Sequence, residues 1–279
     1  MASTSGSYYL PSPSLWPALM SVGLFALALG FVLQMNSLGA GLWLMLTGAV
    51  ILAYIMYRWF GEVIAESEGG RYNAQVDMTF RWSMSWFIFS EVMFFAAFFG
   101  ALFYLRQLAG PWIGDNELLW PGYDFSWPSS GPKGAAFEAM GPWGIPAINT
   151  LILLTSGATV TWAHWGLLKE NRGQLVVGLF LTVALAIAFI ALQVYEYVHA
   201  YQELGLTLKA GAYGATFFML TGFHGLHVTI GTIMLIVILL RSIAGHFKPN
   251  NHFAFEAVAW YWHFVDVVWL GLFIAVYWL

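Results

Sequence analysis

The sequence predicts an all-α integral membrane protein of seven transmembrane helices, and three observations carry that reading. Only 9% of the residues are charged while 60% are hydrophobic, whereas a soluble domain carries roughly a quarter charged. No Asp, Glu, Lys or Arg precedes Arg58. Seven separate stretches reach the roughly 20 apolar residues needed to cross a hydrocarbon core about 30 Å thick. A surface with so little charge faces lipid.

The N-terminal tail, Met1 to Ser14, lacks the basic region and small-residue cleavage site of a signal peptide, so the first helix is expected to stay in the mature protein. Helices one and two are predicted over about Leu15–Met35 and Ala40–Tyr57. They share a charge-free run broken only at Gln34-Met35-Asn36-Ser37-Leu38-Gly39, which reads as a tight turn. Helix three is predicted over Trp82–Leu105. The segment Gln107–Gly144 is then the only long loop, and its Trp112, Trp120, Trp127 and Trp143 suit an interfacial cap. The last four spans are predicted over Ile145–Leu167, Leu175–Tyr195, Ala212–Leu240 and Ala254–Trp278. Strands of a membrane barrel alternate polar and apolar residues, and runs such as Val176–Leu192 do not. The chain is expected to be a single membrane domain over residues 1–279, without internal repeat.

Loop charges set the orientation, because Lys and Arg favour the cytoplasmic side. On the side of the N-terminus lie Arg58, Arg71, Arg81, Lys169, Arg172, Arg241 and Lys248; opposite lie only Arg106, Lys133 and Lys209. The N-terminus is therefore expected in the cytoplasm or the equivalent mitochondrial matrix. A net charge of -4 argues against nucleic acid, which wants basic stripes. The absence of Cys excludes disulfides, thiolate zinc sites, iron–sulfur clusters and thiolate-bridged copper.

An ionisable group inside the bilayer costs at least about 2.5–3.5 kcal/mol and is a functional hypothesis by default. Glu91 is the outstanding case, about 15 Å along its helix from Arg81 at the usual rise per residue. Its helical neighbours Phe87, Ile88, Phe94 and Phe95 are all apolar, so it must keep its proton or meet a donor on another helix. Helix six offers His224 and His227, three residues apart beside Gly222 and Gly225, which permit close helix approach. Such a pair could hold a metal, but with no third ligand nearby in sequence the expectation is core histidines bonded to Glu91 or to backbone, and no metal site. Helix seven carries Glu256 near its cytoplasmic-side end and His263 and Asp266 deeper, again three apart. These acids and imidazoles could form a proton wire or pin the helices in register. At the same rim, Trp59, Glu62 and Glu66 follow helix two, and Arg241, His246 and Lys248 follow helix six. Basic and aromatic residues at headgroup depth favour anionic phospholipids, although any membrane interface looks similar.

These residues resemble the subunit III family of cytochrome c oxidase, the haem-copper terminal oxidase. The matching pieces are Ser90–Phe95, Ile148–Leu154, Thr161–His164, Tyr195–Tyr197, Thr221–Val228, Phe255–Ala257 and Trp260–Trp269. The resemblance implies a chain without redox metal, packed on subunits I and II, which hold the haems and copper. It implies that helices one and two stand apart from a bundle of helices three to seven, with phospholipids in the cleft between. The family acid that reacts with hydrophobic carbodiimides falls on Glu91; the family's lipid contacts fall on Glu66 and Arg241, with His246 alongside. It implies support of proton uptake and of oxidase stability, in a complex that oxidises cytochrome c, reduces oxygen and translocates protons. The tail Met1–Leu15 has none of the family's frequent histidines, and Arg71-Tyr72-Asn73 stands where a His is common. The length of Gln107–Gly144 points to a bacterial plasma membrane ahead of the mitochondrial inner membrane.

Two competing functions come from other classes. A stand-alone proton-linked transporter could use Glu91, His263 and Asp266 as a relay, but the repeats and broken helices of transporters are not evident. A di-haem cytochrome with paired histidine ligands would show a Soret band in the isolated chain.

Overall fold

The computed structural model describes residues 9–278, and among these all regular structure is helical. Seven helices are long and apolar enough to cross a membrane: α1 Trp16–Met35, α2 Ala40–Glu68, α3 Ala74–Gly114, α4 Ile145–Leu168, α5 Arg172–Gln202, α6 Gly211–Ala244 and α7 Phe253–Trp278. The ends follow local chemistry. A proline stands in the first turn of α1 and of α4, where its missing N–H costs nothing. The Asn171 side chain accepts a hydrogen bond from the Gln174 N–H at the start of α5, and Asn73 does the same for Gln75 and Val76 at the start of α3. Gly245 ends α6 in the left-handed conformation, φ 81°, which glycine adopts without strain.

Several helices outrun the predicted spans. α2 continues from Tyr57 to Glu68, and α3 begins at Ala74 instead of Trp82. The hydropathy rule counts residues inside hydrocarbon, whereas a helix carries on where its charges meet headgroups. The expected loop Gln107–Gly144 also starts late, because α3 runs through a π-turn at Leu105–Ala109 and a last turn at Gly110–Gly114. Pro111 cannot donate the next backbone bond, and the wider turn immediately precedes it.

The chain divides into two compact units, one up to Phe80 and one from Arg81. In the first, α1 and α2 form a close antiparallel hairpin. A Cβ on Gly30 would come within 2.5 Å of the Met45 backbone nitrogen, and one on Gly48 within 2.6 Å of the Leu27 nitrogen. Real Cβ atoms do not approach so closely, so glycine is what lets these backbones touch. Most side chains of the hairpin, including Phe25, Trp43, Tyr54 and Tyr57, are exposed.

In the second unit α7 is the most enclosed span and α3 the least. Trp262, Trp269, Phe189, Phe217 and Phe255 fill the interior. Indole nitrogens need partners when buried; Trp262 donates to Ser156 Oγ and Trp269 to Thr150 Oγ1, each at 2.9 Å. These two bonds fix the rotation of α7 against α4. α3 reaches the other helices through large rings, such as Phe94 on Phe223 at 5.0 Å and Phe95 on Phe264 at 6.0 Å. The loop before α4 is anchored, with Trp127 and Phe137 packed on Tyr213.

Candidate functional site

Glu91 lies inside an aromatic shell on α3, and His227 of α6 supplies its partner: Nε2 stands 2.9 Å from Glu91 Oε2. The other ring nitrogen of His227, Nδ1, is 2.6 Å from the Phe223 carbonyl oxygen, one turn back on its own helix. A carbonyl oxygen only accepts, so Nδ1 carries a hydrogen and donates it. Nε2 then has one further hydrogen or none. If none, Glu91 holds the proton and donates it to Nε2; if one, an imidazolium donates to a carboxylate. Both arrangements place a single proton between Oε2 and Nε2, and both are neutral overall. The backbone of α6 thus selects a tautomer that makes His227 complementary to the half-buried Glu91. Phe94, Phe95, Tyr261 and Phe264 surround the imidazole at ring distances of 5.0 to 6.3 Å.

His224 and His227 do not act together. His224, on the next turn, is buried, with Nε2 3.1 Å from the Val265 carbonyl on α7. One histidine therefore ties α6 to α7 and the other ties it to α3.

A second cluster joins α7 to α4. His263 Nδ1 lies 3.4 Å from Asp266 Oδ2, and His263 Nε2 lies 3.2 Å from Thr161 Oγ1. Asp266 is buried and its Oδ1 has no hydrogen-bond partner among the described residues. Gly157 makes room for this carboxylate, since a Cβ there would collide with Asp266 Oδ2. Both side chains line a groove of about 520 Å³ with Thr161, Trp165 and Val267.

Glu256 belongs to a third cluster, at the start of α7. Arg81 pairs with one of its oxygens, and the other lies 3.3 Å from His252 Nε2 and 3.9 Å from His164 Nε2. Apart from His224, the intramembrane acids and imidazoles expected from the sequence thus fall in three clusters, each joining a different set of helices.

The rim residues fall on both units. On the first, Glu66 accepts hydrogen bonds from Tyr9 at 2.5 Å and Tyr72 at 2.8 Å, with Arg71 Nη1 at 3.7 Å. Burial, and next the bond to Glu66, push the Tyr72 phenol above its ordinary range. Trp59 is half-buried on the same helix, and Glu62 accepts from the Trp16 indole. On the second unit the Arg241 guanidinium lies 4.5 Å from the centre of the Phe247 ring. His246, adjacent to Phe247 in sequence, is half-buried, its Nδ1 without a hydrogen-bond partner among the described residues.

Sequence reasoning passed over several groups. Glu196 is fully buried and accepts a 2.6 Å hydrogen bond from the Tyr277 hydroxyl. Its predicted span stopped at Tyr195, which placed it at the interface, whereas α5 continues to Gln202. Arg81, His164 and His252 were assigned to loops or span ends, and only the tertiary fold brings them to Glu256. A run of polar residues at a span end was the one available signal.

A family model described as cytochrome c oxidase subunit III matches residues 6–279. The chain is 45% identical to cytochrome c oxidase subunit 3 of Marchantia polymorpha over 272 residues, covering 97% of this chain and 96% of that protein. It is 43% identical to the subunit of the same name from Arabidopsis thaliana, covering 98% and 96%. For the Drosophila melanogaster subunit the identity is 42%, covering 97% and 96%.

Proposed function

We propose, because the chain belongs to the cytochrome c oxidase subunit III family, that it serves the oxidase as a non-catalytic membrane subunit packed on subunits I and II. The full-length family match is the observation that carries this reading. Haem and copper then belong to the partner chains, cytochrome c is the electron donor of the whole complex, and this chain supports proton uptake and stability during turnover. The geometry supports a holding role over a relay. Glu91 with His227, His263 with Asp266 and Glu256 with Arg81 satisfy one another locally. The family match does not favour a stand-alone proton-linked transporter.

The rim residues are proposed to hold phospholipid heads, Trp59 and Glu66 on one unit and Arg241 and His246 on the other. The Arg241 cation at headgroup depth and the unpartnered His246 nitrogen support this. The long loop before α4 supports a bacterial plasma membrane with the N-terminus cytoplasmic. The plant and insect relatives support the mitochondrial inner membrane as a second reading.

Purification in mild detergent tests the assignment. Haem-bearing and copper-bearing chains are expected to come down with this one, and the Glu91→Gln complex is expected to keep nearly full oxygen reduction. Stoichiometric haem or copper on the chain purified alone overturns the reading, as does lost oxygen reduction in a fully assembled Glu91→Gln complex. Proton flux through liposomes holding only this chain would revive the transporter.

A further inference from the structure

The function proposed above uses Glu256 only through its pair with Arg81 and gives His164 and His252 no role; with Glu256 Oε1, these two imidazoles have the chemistry of a ligand set. His252 Nδ1 lies 3.1 Å from the Lys248 carbonyl oxygen, so Nδ1 bears a hydrogen, and Nε2 presents its lone pair when the ring is neutral. Metal-ligating histidines are commonly held this way, one ring N–H on a backbone carbonyl and the other nitrogen free to bind. Reciprocal backbone bonds between Lys248 and Asn251, at 3.0 and 3.3 Å, shape the turn that presents the ring. His252 and Glu256 are one turn apart at the start of α7, and His164 arrives from the last turn of α4.

Three atoms converge there: His164 Nε2, His252 Nε2 and Glu256 Oε1, all within 4.8 Å of one another. The two nitrogens are buried and make no hydrogen bond among the described residues. A lone pair facing a carboxylate oxygen at 3.3 Å is repulsive unless a cation sits between them. In a tetrahedral zinc site with bonds of about 2.0–2.1 Å, ligand atoms lie roughly 3.3–3.4 Å apart. The His252–Glu256 separation already equals that edge, and the 3.9 Å from His164 to Glu256 needs a shift of about half an ångström.

We propose that His164, His252 and Glu256 bind one divalent metal ion of the zinc class at the cytoplasmic-side rim of α4 and α7. Two imidazoles and one carboxylate suit zinc and reject magnesium and calcium, which want oxygen ligands throughout. Arg81 occupies the second oxygen of Glu256, so the carboxylate binds through Oε1 alone. That guanidinium also cancels the carboxylate charge, so the ligand set is neutral and releases the ion readily. The fourth position is open to water.

Equilibrium dialysis of the purified full chain in mild detergent against zinc chloride at neutral pH tests this. One zinc per chain is expected, with affinity falling about tenfold or more in His164→Gln and in His252→Gln. His199→Gln, at a histidine paired with Glu203, is expected to bind like the wild type. X-ray absorption of the zinc-loaded chain is expected to show two imidazole ligands. If a variant fails to fold, the wild-type chain still decides the matter: zinc, and not magnesium, should shield His164 and His252 from diethylpyrocarbonate. Zinc binding unchanged in His164→Gln and in His252→Gln, absence of stoichiometric binding, or equal shielding by magnesium overturns the proposal; absence of binding assigns the space between Nε2 and Oε1 to a proton.

Discussion

The single proton between Glu91 and His227 makes their substitutions unequal in a definite order. Glu91→Gln keeps a donor, since its amide N–H can point at the lone pair of Nε2 while Nδ1 stays on the Phe223 carbonyl. The loss should be below about 1 kcal/mol, near the average of about 0.6 kcal/mol for hydrogen bonds between membrane helices. Glu91→Leu strands one ring nitrogen of a histidine still anchored through the other, a cost of about 1–3 kcal/mol. His227→Leu strands the acid itself among phenylalanines, which costs about 2.5–3.5 kcal/mol if it stays charged. The double variant Glu91→Leu with His227→Leu leaves no orphan, so its loss should fall well below the roughly 3.5–6.5 kcal/mol sum of the single losses. Unfolding of the full chain in mixed detergent and dodecyl sulfate micelles, followed by circular dichroism, measures all four. Losses that add to within about 0.3 kcal/mol, or a Glu91→Gln loss equal to that of Glu91→Leu, refute the one-proton pair.

Other substitutions read other joints. A hydrophobic carbodiimide is expected to label Glu91 in intact membranes at neutral pH, and mass spectrometry finding no adduct there contradicts a proton held by the pair. Gly157→Ala should cost about 1–3 kcal/mol by overpacking, because its methyl meets Asp266 Oδ2; an unchanged melting midpoint in detergent would count against the tight α4–α7 contact. Trp262→Phe should lose only about 1 kcal/mol, since Ser156 still donates to the Leu153 carbonyl at 2.6 Å, whereas Trp262→Ala should lose about 3–5 kcal/mol. Tyr277→Phe removes the hydroxyl that bonds Glu196 and should cost about 1–3 kcal/mol, read by the same melts.

The sequence made the number of spans legible because apolar length is a local property, as is the absence of any partner for Glu91 on its own helix. It narrowed the donor to two histidines without choosing between them. The choice rests on how α6 is rotated against α3 and α7, which Phe94, Phe95 and Phe264 determine by packing. Glu196 was misplaced because hydropathy ends a span at the first charge, while backbone bonding carries α5 on to Gln202. His164 and His252 lie on different helices, and no periodicity within either one announces their meeting at Glu256. The resemblance of the motifs supplied the family, which residue spacing alone did not.

The hairpin of α1 and α2 carries one more implication. Gly23 and Gly30 stand seven residues apart, as do Gly41 and Gly48, and three of these notches take the opposite backbone while Gly23 takes the side chains of Leu52 and Ile51. Sliding one rod by a turn would push a side chain into a gap that admits only hydrogen. The two rods therefore interlock at one offset, and α1 and α2 can settle their mutual register in the bilayer before any later helix is made.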